Sequence, residues 1–191
     1  MTVKLVGSSS GSVSLQAPAT TSGGANRTLT LPDINSTVDT TGRAGNILQV
    51  VQTFKNDVFS TTATSTEVDV TGFNVTITPS SSSNKILIMS QCGIGKSSTS
   101  SVIGMQLYRD STKIAAQATD QTYSAGACMY IYTTNNLPRW VYNYLDSPNT
   151  TSAVTYQWKV KGFNSGTIYV NNRNGEDMMT SGTVIAMEVA A

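Results

Sequence analysis

No stretch of this chain carries a sustained helical period. Its apolar residues instead recur at every second position in short runs, and polar turn-forming clusters separate the runs. A run whose side chains alternate between two faces is a half-buried strand. Many such runs in succession specify an antiparallel β-sandwich rather than a βαβ fold. The runs begin at 47–52 and continue at 67–70, 74–78, 85–90, 102–108, 113–116, 127–132, 139–144, 154–161, 167–170 and 183–189. Turns are expected at 80–84, 109–111, 133–138, 146–149 and 171–175, each rich in Ser, Asn, Asp, Pro or Gly. The fold class expected is all-β: an extended N-terminal β arm followed by an antiparallel β-sandwich.

Residues 1–45 read as an attachment or trimerisation arm with its linker, and residues 46–191 as the sandwich head. Within the arm, Val13 and Leu15 alternate in one short strand and Leu29 and Leu31 in another, and each strand is ended by a proline. Neither strand can bury much alone. These four residues are therefore the expected assembly contacts, docking on sister chains or on a larger surface. The last strand sets Val184, Ala186 and Glu188 against Ile185, Met187 and Val189. One of those faces belongs in the core and the other at a subunit seam. Tyr156, Trp158 and Val160 share an inward face, with Gln157, Lys159 and Lys161 in water.

The chemistry is sparse. The chain has no histidine, so it lacks the commonest general base near neutral pH and the commonest zinc ligand. A Ser-His-acid arrangement within one subunit is impossible. No catalytic residue, metal site or cofactor is expected. The Gly-Ile-Gly-Lys-Ser-Ser run at 93–98 resembles a phosphate loop only in part, because Ser90 stands where that pattern needs glycine. It reads instead as a tight turn after the 85–92 strand. Asn171 to Asp177 has oxygen-bearing side chains but lacks EF-hand spacing, and reads as an exposed hairpin loop. Cys92 and Cys128 read as two buried thiols on neighbouring strands. Trp140 and Trp158 read as core.

A net charge of +1, with charged residues at 12% of the chain, leaves no field to gather nucleic acid. No apolar run is long enough to cross a bilayer as a helix, and the N-terminus lacks a secretory signal. Neither direct nucleic-acid binding nor membrane insertion is expected. An uncharged surface suits a protein packed among copies of itself. Recognition, if present, belongs on sandwich loops, where the candidates are Asn135, Asn136, Arg139, Asn149, Asn172, Arg173 and Asn174.

The Ser-Leu-Gln-Ala-Pro-Ala run at 14–19 and the Asn-Arg-Thr-Leu-Thr-Leu-Pro-Asp run at 26–33 resemble segments of tail-fibre and other virion proteins of tailed, cyanophage-like bacteriophages. Residues 45–52, Pro79, 85–88, 107–110, 144–148, 155–161 and 185–189 are similar to the distal domains of those proteins. The resemblance implies a non-enzymatic virion protein with a trimeric sandwich or jelly-roll head, made in the host cytoplasm. Long fibres carry a large adaptor before the stem. Here the stem begins near Met1, which points to a short appendage. The main expectation is thus a short tail fibre, a homotrimer joined to other virion proteins, whose loops adhere to a host surface glycan through many weak sites. The alternative is a capsid decoration or cement protein whose arm binds the shell.

Overall fold

The structure, a computed structural model, describes residues 2–6, 12–16, 43–118, 123–175 and 178–191. The chain divides into two compact units, Met1–Val38 and Asp39–Ala191. In the first, β1 (Thr2–Val6) and β2 (Ser12–Gln16) pair antiparallel, with Leu5 opposite Val13 and Val3 opposite Leu15. Leu29 and Leu31, and the second strand expected around them, lie outside the described residues.

The second unit contains β3 (Ile47–Lys55), β4 (Phe59–Thr61), β5 (Val68–Ile77), β6 (Lys85–Lys96), β7 (Ser101–Arg109), β8 (Thr112–Ile114) and β9 (Ala127–Ile131). It continues with β10 (Arg139–Asp146), β11 (Val154–Gly162), β12 (Ile168–Val170) and β13 (Gly182–Val189). Several short strands are halves of longer ones. β12 and β13 run in the same direction along β6, opposite 94–96 and 85–91 respectively. β3 and β4 follow them in the same way, pairing β13 and β12. β8 and β9 likewise pair successive parts of β7.

With those halves joined, the body has eight antiparallel strands in two sheets. One sheet has the order β3/β4, β12/β13, β6, β10, and the other β5, β11, β7, β8/β9. Numbered one to eight along the chain, the strands run 1-8-3-6 and 2-7-4-5, which is the jelly roll. Apart from the trimer, which this geometry does not address, the expected fold class is the observed one.

The core lies between the sheets. Phe73, Ile86, Ile88, Leu107, Tyr156, Trp158 and Val184 are all buried there. The edge of Trp158 meets Trp140 with ring centres 4.5 Å apart, and its indole N–H donates to Ser90 Oγ at 2.8 Å, from β11 across to β6. The expected inward face of the eleventh strand is the observed one, and in the last strand it is Val184, Ala186 and Glu188 that turn inward.

Three expectations are corrected. Gly93 to Lys96 is not a turn: β6 continues through it, because β12 supplies a partner the local sequence does not reveal. The Lys96 side chain is fully buried, donating to Ser101 Oγ and to the Asn164 carbonyl at 3.0 Å. The two cysteines are not neighbours, since Cys92 is buried on β6 in one sheet and Cys128 is exposed on β9 in the other. The 67–70 and 74–78 runs are one strand, β5. Gly72 (φ +72°) bends it where its register with β11 shifts, a conformation that a Cβ disfavours.

Trp158→Ala is expected to lower unfolding free energy by about 3–5 kcal/mol, read by urea denaturation. A loss below about 1 kcal/mol contradicts its place at the centre of the core.

Candidate assembly interface

Each sheet has an outer face, and the two differ in chemistry. On the β5–β11–β7 sheet, Lys159 pairs with Asp69 at 3.0 Å and Lys113 with Glu67 at 2.8 Å, while Tyr108 Oη donates to Glu67 at 2.7 Å. Asn74 donates to Gln157 at 2.9 Å, and the Thr76 and Thr155 hydroxyls bond at 2.8 Å. Burial and the Glu67 carboxylate together push the Tyr108 hydroxyl up to about 12. This face is polar and ion-paired.

The other outer face is apolar. Phe54 is 62% exposed, Val141 59%, Val50 57%, Leu145 48% and Met89 37%, and Leu87, Ile185 and Met187 lie half-buried between them. A groove of about 180 Å³ runs among Met89, Val141, Asn143 and Ile185. Scattered exposed apolar residues are normal, but a contiguous face marks a contact surface.

One end of this face is closed by residues 171–175 and 178–181, which flank β12 and β13. Gly95 lies against the Asn172 carbonyl and the Arg173 Cα so closely that a Cβ would collide, and Gly93 lies as tightly under Thr180 and Leu137. Arg139 holds the loop down, donating to Thr180 Oγ1 and to the Ser181 carbonyl, each at 2.9 Å. Asn171, fully buried at φ +65°, donates to the Lys55 carbonyl at 3.1 Å.

The structure therefore divides the candidate recognition residues. Asn172 is buried, Arg173 and Asn174 are half-buried in the same loop, and Arg139 is its anchor. Asn135 and Asn136 are exposed in the turn before β10. The strand register puts that turn at the same end of the sandwich as the 171–175 segment. Asn149, exposed at φ +54°, lies beyond the far end of β10. No single surface gathers all seven.

At that far end a cleft of about 580 Å³ is lined by Leu48, Gln49, Ser80, Asn84 and Glu188. Glu188 is fully buried. Its carboxylate accepts from Gln49 Nε2 at 2.6 Å, the Ser80 amide at 2.6 Å, Ser80 Oγ at 2.7 Å and Asn84 Nδ2 at 2.7 Å. Burial pushes its pKa up, but the four donors outweigh burial and hold it at about 2. The group thus ties β13 to β3 and to the β5–β6 turn. The sequence sets Glu188 on one face with Val184 and Ala186 but reveals neither that this face is the inward one nor its donors, which come from positions more than a hundred residues away. Nearby, Asp146 accepts from Arg109 at 2.8 Å and from Tyr156 Oη at 2.7 Å, joining the ends of β10, β7 and β11. Among the described residues no cluster of His, Cys, Asp or Glu is placed to hold a metal.

No family model matches the chain, and no curated protein does. Among solved structures, the VP2 subviral particle of infectious bursal disease virus aligns at 16% identity over 87% of this chain and 42% of that one, with a TM-score of 0.42. The T=1 particles derived from the same virus align at 16% identity, over 98% of this chain and 44% of that one, with a TM-score of 0.43. The chain thus spans less than half the length of these proteins. The baseplate tripod of bacteriophage Tuc2009 aligns at 12% identity over 91% of this chain and 83% of that one, with a TM-score of 0.21.

The tail-fibre resemblance is corrected on these findings, and with it the assignment to a bacteriophage and to a glycan-adhesive fibre. The better-aligned solved chains are particle proteins of a different virus. The resemblance rested on short alternating strands ended by proline, and such strands recur in unrelated sandwiches because they record only which side chains face inward.

A carboxylate held at about 2 in the fold and near 4.5 when unfolded adds stability that is complete above about pH 5 and fades as pH falls towards 2. Glu188→Gln is therefore expected to be less stable than the parent at neutral pH, with the gap closing across that range. Thermal melts between pH 7 and pH 2 read it, and a gap independent of pH contradicts the assignment.

Proposed function

We propose that this chain is a non-enzymatic structural protein of a virus shell, a decoration or cement unit that works beside other shell proteins and copies of itself. One observation carries the reading: the jelly-roll body spends its buried polar groups on tying strands together. Glu188, Asp146, Lys96 and Lys55 are each hydrogen-bonded within the fold, leaving no poised acid, base or nucleophile among them. Jelly rolls serve as capsid domains, lectins and cupins. A histidine-free chain is a poor candidate for a metal-binding cupin. The loops that would serve a lectin are partly consumed in holding down the 171–181 segment. The particle proteins that align with the chain agree with a shell role.

In this reading residues 1–33 provide attachment, adding extended chain to exposed strand edges of the shell. The body stiffens the shell or covers its joints. In this reading the chain is made in the host cytoplasm and incorporated into the virion.

The purified chain is expected to co-sediment with emptied capsids of its virus, and the form lacking residues 1–33 to remain in the supernatant while keeping the melting temperature of its body. Full-length protein that does not co-sediment overturns the reading. Binding undiminished by the deletion overturns the role of the arm.

A further inference from the structure

The apolar outer face has an internal pattern. Cross-strand partners share a face, so the register arranges the outward residues of β3, β13, β6 and β10 in rows of four. One row is Val50, Met187, Leu87 and Leu145, apolar throughout. The next is Gln52, Ile185, Met89 and Asn143, polar at both edges and apolar between. The third is Phe54, Thr183, Gln91 and Val141, apolar at both edges and polar between. Each row reads the same in chemical character from either edge.

Such a palindrome has a geometric meaning. A twofold axis lying parallel to the strands, in the plane between two stacked copies, exchanges β3 with β10 and β13 with β6 while keeping each row in place. Phe54 then meets the partner copy at Val141, Val50 meets Leu145, Met187 meets Leu87 and Ile185 meets Met89. Gln52 faces Asn143 and Thr183 faces Gln91, so amides and hydroxyls also find one another. No charged side chain lies in the three rows, and two copies stack without like-charge repulsion. The ion-paired outer face of the other sheet has no comparable arrangement.

The area suits a weak pair. Three rows about 6.6 Å apart, across four strands spaced about 4.8 Å, present on the order of 400 Å². Two copies together cover on the order of 800 Å², the size of a weak, transient contact. Stacked sheets lie about 10 Å apart, a gap that the protruding Phe54 ring and Val141 methyls fill from both sides. The groove along Met89 and Ile185 is the central recess of the same face.

We infer that the outer face of the β3–β13–β6–β10 sheet is an isologous dimer interface, occupied by the same face of a second copy, with Phe54 of each packed on Val141 of the other. A self-complementary patch closes a pair, whereas a threefold contact joins two different patches. The inference stands apart from the shell role, because it concerns the free protein and involves no residue of the first unit.

The test uses the full chain in solution without capsids, by sedimentation equilibrium. The parent is expected to dimerise. Phe54→Glu and Val141→Lys each place unpaired charges in the interface and are expected to weaken the dimer about thirtyfold or more. Both positions are exposed, so thermal melts confirm that each variant still folds. The double variant F54E/V141K is expected to recover the dimer, because each introduced carboxylate then faces an introduced ammonium on the other copy. Within one chain the two positions sit on opposite outer strands, about 14 Å apart, too far to pair internally. A parent that stays monomeric up to about 100 μM overturns the inference. So does a single variant that dimerises as well as the parent, or a double variant no better than the singles. If the face is instead covered by the chain's own arm or by a shell protein, the parent is monomeric here. Co-sedimentation with capsids then still reports the shell role separately.

Discussion

Every β-sheet has two faces, and a sandwich of two sheets buries only one face of each. That constraint organises this molecule. The inner faces meet around Trp158, whose indole is packed against Trp140 and bonded to Ser90 on the opposite sheet. The outer faces meet water or something else. One carries paired lysines and carboxylates and is suited to water. The other carries valine, leucine, methionine and phenylalanine, for which water is a poor neighbour. The sidedness of the body follows from that difference.

The polar interior serves the same end. Glu188 is a charge in a place where an unpaired charge would be costly, and four donors from β3 and the β5–β6 turn make it tolerable. In return it pins the last strand between β3 and the β5–β6 turn. Asp146 does similar work where β7, β10 and β11 end, and Lys96 where β6 meets the turn after β11. These groups find their partners within the fold and join strands that are distant in sequence. Residues 172–174 and Thr180 also rest on Gly95 and Gly93, which have no side chain to keep them away.

The loop residues illustrate where pattern reading stops. Asn172, Arg173 and Asn174 have the composition of a recognition loop, and Arg139 has a free-looking guanidinium at the start of a strand. In the folded chain the Arg139 side chain and the 171–175 segment belong to one packing arrangement, because β12 and β13 are halves of one strand and the chain between them must go over the sheet. Composition cannot report this, since the two segments are held together by β6, which is remote from both in sequence. The cysteines were misplaced for the same reason: each lies in a plausible strand, and which strands are neighbours is not a local property.

Alternation is local, and it alone was enough to find most strands and to orient the strongest ones. The inward set of Tyr156, Trp158 and Val160, and the opposition of Val184, Ala186 and Glu188 to Ile185, Met187 and Val189, are visible in the bare chain because successive side chains must point to opposite sides of a strand. Strand order, the joining of short strands into long ones, the donors around Glu188 and the row pattern on the outer face are settled only in three dimensions. Each depends on register between segments tens to more than a hundred residues apart, and register is chosen by the packing of the whole sandwich rather than by either strand.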